Sequence, residues 1–156
     1  MFGIAHQVQS PFVFILALLL FTCDGLELRA LDVGQGDAIL LRDKSETALV
    51  DTGPSDNIVA RLRALGVSRL SVLVATHNHD DHIGGVDAVL RAMAVAEFVD
   101  NGFPAATAIH RRVVALLETT STKRATPATR ASVKLGATTL RFLPLRPFSG
   151  GRPAKQ

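Results

Sequence analysis

Three of the five histidines of this chain fall inside one hexapeptide, His77-Asn78-His79-Asp80-Asp81-His82. Neutral imidazole and carboxylate are the donor set of hydrolytic zinc sites, and they also take manganese or iron. The chain has one cysteine, Cys23, and hence no Cys-x-x-Cys pair. An internal disulfide is excluded, and a metal centre must be built from His and carboxylates. In an extended loop alternate side chains point the same way, so His77 and His79 are placed to grip one ion together. Asp81 and His82 lie where the loop turns into a helix and are placed to face a second. Two adjacent metals suit the activation of water and the clamping of oxygens in a displacement. The competing role for Asp80 or Asp81 is to cap the helix that begins near Gly84.

The flanking elements must hold this loop at a usable place. Leu70 to Ala75 is apolar nearly throughout, which predicts a strand covered on both faces. Its end delivers the His-rich loop to the carboxyl edge of a sheet, where open α/β sheets bind ligands. Upstream, Leu26 to Val33, Ala38 to Leu41 and Thr47 to Val50 read as three strands of an antiparallel meander, the last leading into Asp51-Thr52-Gly53. Ile58, Val59, Leu62 and Leu65 form the stripe of a helix capped by Ser55 or Asp56. Downstream, Val86 to Met93 predicts a helix and Ala96 to Val99 a strand. Pro104 is placed to start a helix carrying Ile109, Val113, Leu116 and Leu117. Residues 119–129 are polar and predict a loop, and 132–135 with 138–143 predict a hairpin around Gly136. Strands alternating with helices after a meander indicate a layered α/β architecture.

With 156 residues, 47% of them hydrophobic and 20% charged, the composition is that of one folded domain and excludes a disordered chain. The net charge of +3 conceals an asymmetry: residues 1–100 carry 7 Lys/Arg against 13 Asp/Glu, and residues 101–156 carry 10 against one, Glu118. A basic half attracts polyanions such as nucleic acid, and it also serves as an ordinary solvated face. Trp and Tyr are absent, which argues against base-stacking recognition of single strands. Phe12 to Phe21 is an unbroken apolar run, shorter than the ~20 residues of a membrane span and suited to a secretory h-region. Leu20-Phe21-Thr22-Cys23 also resembles a bacterial lipoprotein signal. The expected organisation is a signal peptide or membrane tether at 1–22, a domain at 23–143 and an irregular tail at 144–156.

Thr76-His77-Asn78-His79-Asp80-Asp81-His82-Ile83-Gly84-Gly85 resembles the His-x-His-x-Asp-His signature of the metallo-β-lactamase superfamily. Leu31-Asp32-Val33-Gly34-Gln35-Gly36-Asp37-Ala38 and Leu49-Val50-Asp51-Thr52-Gly53 are similar to the extracytoplasmic hydrolase domain of ComEC-type DNA-uptake competence proteins and their stand-alone relatives. The resemblance covers residues 26–100 well and 101–143 loosely. It implies the amino-terminal part of a four-layer αββα sandwich, in a bacterial protein that is exported or membrane-associated. It also implies up to two zinc ions, with manganese or iron as substitutes, and hydrolysis of phosphodiesters or nucleic acid by metal-activated water.

The resemblance implies roles as well. His77 and His79 would hold the first metal, and Asp81 and His82 the second. Asp81 would orient the attacking hydroxide, and Asp51 would hold a ligand imidazole in its tautomer. Asp32 and Asp37 would shape the loop beside the metals. Closing a turn is the alternative role for each of these last three carboxylates. The superfamily supplies later ligands, two of them His and one a bridging carboxylate. After Asp100 this chain offers His110 and Glu118, both on one expected helix. The alternative function is therefore a truncated relative that binds metal and turns over weakly or not at all, with an apolar sheet face left uncovered.

Overall fold

The computed structural model describes residues 25–143. The expectations for 1–22, for Cys23 and for the tail at 144–156 fall outside the described residues. A six-stranded sheet runs in chain order: β1 (Glu27–Ala30), β2 (Ile39–Asp43), β3 (Glu46–Val50), β4 (Arg69–Val74), β5 (Ala94–Val99) and β6 (Lys123–Ala125). The first three strands are antiparallel, as the meander predicted, and β3 to β6 are parallel.

The parallel pairs need crossovers, and helices supply them. They are α1 (Asn57–Ala64), then the short α2 (Asp80–Ile83) with α3 (Val86–Ala92), then α4 (Ala108–Leu117). Right-handed crossovers put all of them on one face. Consecutive strand residues point to opposite faces, and the two cores sort accordingly. Leu40, Leu49, Leu73 and Phe98 pack beneath Ile58 and Leu62 of α1, Val86 and Val89 of α3, and Val113 and Leu117 of α4. Their neighbours Leu41, Ala48, Val72 and Val99 face the other way, toward Val133 and Leu135. This double burial explains why β4 is apolar nearly throughout.

Val133 and Leu135 belong to a second sheet, the hairpin of β7 (Ser132–Leu135) and β8 (Thr138–Arg141). The layers are thus helices, mixed sheet and second sheet: the amino-terminal part of the α/β sandwich, with three of its four layers among the described residues. Asp43, at the end of β2, ties the two sheets by accepting from the Thr138 amide at 2.7 Å. Hydrogen bonding to Thr138, from its side chain first and then its backbone amide, holds the Asp43 carboxyl below the usual range.

Several boundaries differ from expectation. Residues 31–33 leave the first strand early, and the carbonyl of Ala38 accepts from the Leu31 amide instead. Asp56 is the N-cap residue of α1, but without a side-chain bond. Helix α4 starts at Ala108 rather than at Pro104, because the Thr107 hydroxyl accepts from the His110 amide at 3.1 Å and caps it there. Residues 119–129 are not all loop: Lys123–Ala125 forms β6. An exposed three-residue edge strand pairs through its backbone and needs no apolar pattern.

Candidate metal centre

Parallel pairing brings three strand ends to one edge. Val50 leads into Asp51, Val74 into the His-rich loop, and Val99 into Asp100. Backbone bonds continue beyond the strands, from Asp51 N to Val74 O and from Ala75 N to Val99 O, each at 2.8 Å. The loop from Thr76 to His82 is thereby suspended between the extensions of β3 and β5.

Asp51 is the structural centre of this edge. It is non-glycine with φ +57, a left-handed conformation that Asp tolerates better than most residues. Its carboxylate is 1% exposed and so must be paired. Oδ1 accepts from the Thr76 amide at 2.8 Å, and Oδ2 from the Thr76 hydroxyl at 2.6 Å. His82 Nδ1 lies 2.8 Å from the same Oδ2. A carboxylate accepts, so this contact puts the ring proton on Nδ1 and leaves Nε2 free to donate its lone pair.

Helix α2 sets the second half of the site. Its start at His79–Asp80 turns Asp81 and His82 back toward His77. The His77 and His82 rings lie 3.8 Å apart between centroids, and the His77 and His79 rings 4.7 Å. Potential ligand atoms of His77, Asp81 and His82 all fall within 4.8 Å of one another. A second such group, Asp37, Asp51 and His82, shares the same imidazole. His79 is exposed and does not join either group, although its ring approaches that of His77. Neither Asp80 nor Asp81 is the N-cap of α2; that position belongs to His79, again without a side-chain bond.

Close approach of backbones locks this arrangement. The Asp81 carbonyl oxygen lies 1.8 Å from where a Cβ on Gly36 would stand, so the Gly34-Gln35-Gly36-Asp37 turn can sit on α2 only with glycine there. At the far end of α2, a Cβ on Gly84 would come within 2.3 Å of the Pro54 backbone. Thr52 clasps the two sides by donating to the His82 carbonyl at 3.0 Å and accepting from the Gly85 amide at 3.0 Å.

The other expected residues sort as follows. Asp37 reaches to within 3.9 Å of His82 Nδ1, which places it beside the ligand groups. Asp32 closes its own turn, accepting from the Gly34 amide at 3.1 Å, and lies 3.7 Å from Arg61. His110 is buried in α4 with Nε2 unpartnered, and Glu118 is exposed at the end of that helix. Neither enters a ligand group. Sequence reasoning missed Thr52, Thr76 and Asn78. Their positions inside the two motifs were a signal, but their partners are set by the fold.

These residues fit a divalent metal. The imidazoles of His77 and His82 converge with the Asp81 carboxylate, one ring is fixed in its tautomer, and His77 is held neutral. Burial first, then the neighbouring His82 and His79, pushes its pKa below the ordinary imidazole value. Residues 31–104 match the family model of the metallo-beta-lactamase superfamily. The match covers a little under half of the chain.

Relatives share the same segment. A hydroxyacylglutathione hydrolase of Alkalilimnicola ehrlichii is 44% identical over 54 residues, 35% of this chain and 21% of that enzyme. The competence protein ComA of Neisseria gonorrhoeae is 44% identical over 62 residues, 37% of this chain and 9% of that protein. A crystal structure of the metallo-beta-lactamase SMB-1 in a complex with mercaptoacetic acid aligns with 74% of this chain and 48% of that one, at 17% identity and a TM-score of 0.49. The chain therefore spans 21% or less of the length of these two curated relatives. No helix among the described residues is long and apolar enough to cross a membrane.

Proposed function

We propose that this chain carries the metal-holding motif of a metal-dependent hydrolase acting on phosphodiesters, nucleic acid among them. The observation that supports this reading is the convergence of His77, Asp81 and His82 within 4.8 Å, with Asp51 fixing the His82 tautomer. His77, His79, Asp81 and His82 are the proposed ligands, and Asp51 and Asp37 their support. Zinc, manganese or iron bound there supplies a Lewis acid and, for zinc, a water of pKa roughly 7. Asp81 is the carboxylate placed to orient the attacking water and hold its proton. The basic stretch 101–156 and the likeness to a competence protein favour an anionic polymer over a neutral ester. That likeness and the apolar run at 12–21 also underlie placement outside the cytoplasm or at its membrane. Protease accessibility in intact cells tests that part.

A second reading has its own support. Neither His110 nor Glu118 reaches the site, and a catalytic zinc usually has three protein ligands. On this reading the chain binds metal and turns over weakly, and for the isolated 156 residues we expect weak turnover or none. Metal content and turnover of a chromogenic phosphodiester, with a hydroxyacylglutathione thioester alongside, separate the readings. Robust phosphodiesterase activity abolished by His77→Ala establishes the first. Bound metal without turnover leaves the second. Activity confined to the thioester overturns the assignment of substrate.

A further inference from the structure

We propose that Asn78 is a positioning residue that aims His77 and His79, an inference resting on the metal-binding reading above. Asn78 lies between the two histidines, so in the extended loop its side chain points away from the site and into the protein. It is 6% exposed, whereas His79 beside it is exposed. A buried amide must find partners, and Asn78 finds them on a different strand's extension. Its Nδ2 donates to the Phe103 carbonyl at 2.6 Å and to Asn101 Oδ1 at 3.3 Å. A carbonyl only accepts, so the amide's orientation is settled by chemistry.

The receiving segment is itself braced. Asn101 Oδ1 also accepts from the Phe103 amide at 2.9 Å. Asp100 accepts from the Gly102 amide at 2.8 Å and is gripped by Arg124 of β6 at 2.6 Å. The loop is thus pinned at Thr76 from the β3 side and at Asn78 from the β5 side. Between and beyond these pins stand the two imidazoles. Released at Asn78, His77 and His79 would keep their chemistry and lose their shared direction.

The experiment compares wild type with Asn78→Asp, a near-isosteric change that removes both donors and sets a carboxylate oxygen against the Phe103 carbonyl. The readouts are zinc affinity by competition with a chromophoric chelator, the visible spectrum of the cobalt(II) form, and melting of the metal-free protein. Zinc affinity should fall by roughly ten- to hundred-fold, as it does when groups supporting metal ligands are lost. The cobalt spectrum of the folded protein should change, whatever the buried carboxylate costs in melting temperature. Unchanged affinity and spectrum overturn the inference, and so does a lowered melting temperature with full affinity in the folded fraction. Should Asn78→Asp fail to fold, Asn101→Ala removes one acceptor of the pair and should give a smaller loss in the same direction; no loss there overturns the inference. Wild type that binds no zinc overturns the functional reading itself, which separates the two failures.

Discussion

Asp51 meets three demands with one carboxylate: it closes the turn after β3, holds Thr76, and orients His82. Asp51→Asn keeps the shape and suits the left-handed backbone, but puts an amino group where Oδ2 accepts from the His82 ring. Zinc affinity should drop roughly ten- to hundred-fold with little change in melting, measured by chelator competition. The His77 ring gives a second prediction. Its folded pKa lies below the ordinary value of about 6.5. As pH falls, the unfolded chain therefore takes up this proton first. The stability this ring contributes to metal-free protein is complete above that value and is lost as pH drops through it toward the folded pKa. Urea midpoints of metal-free protein should fall on acidification, and His77→Gln should flatten that part of the profile. At this scale the residue types and their clustering were legible in the hexapeptide. The grouping was not: alternation pairs His77 with His79, but the helical turn at Asp80 swings Asp81 and His82 onto His77 and leaves His79 outside.

Elements carry information of a different kind. The largely apolar runs of β3, β4 and β5 made these strands legible, because burial on both faces leaves few polar positions within them. Phe98→Ala, in the middle of that double burial, should cost about 3–5 kcal/mol in denaturant unfolding. Helix starts and edge strands were less legible. Pro104 is a permissive helix start, but Thr107 offers a hydroxyl to the orphan amide of His110 and wins. Strand β6 hid behind Lys123 and Arg124, since edge pairing makes no demand on side chains. The Asp43–Thr138 contact also belongs at this scale, because it joins β2 to the hairpin across 95 residues. The Asp43 carboxyl is held low by Thr138, its side chain first and its backbone amide next, so its contribution is present above the ordinary carboxylate range and is lost as pH falls through its folded value. Acidification or Asp43→Ala should accelerate exchange of the Thr138 amide before that of the β4 amides, as read by hydrogen exchange.

The whole molecule is asymmetric in how its sheet is covered. Helices close one face, while the β7–β8 hairpin covers part of the other. Beside the hairpin lies a cleft of about 820 Å³ walled by Val50, Val74, Val99, Leu140 and Phe142, with Phe103 at its rim. Leu28 is opposite Leu41 on β2, and hence on this same face, and is 62% exposed. This cleft should bind a hydrophobic dye. Phe103→Ser should weaken that fluorescence and leave the melting temperature nearly unchanged, since an exposed residue costs within about 0.5 kcal/mol. The sequence reading expected this face to be left uncovered; among the described residues Leu41, Ala48, Val72 and Val99 are instead buried against the hairpin, whose placement depends on contacts such as Asp43 that span most of the chain.

The seating of Gly36 on the Asp81 carbonyl has a consequence for mutational history. Two motifs 45 positions apart share one van der Waals surface, so neither can drift alone. A saturation screen scored on metal retention should show position 36 as intolerant as the hexapeptide itself. Suppressors of Gly36→Ala should map to residues 80–85, where a shift of α2 can make room, rather than to the turn that holds the lesion.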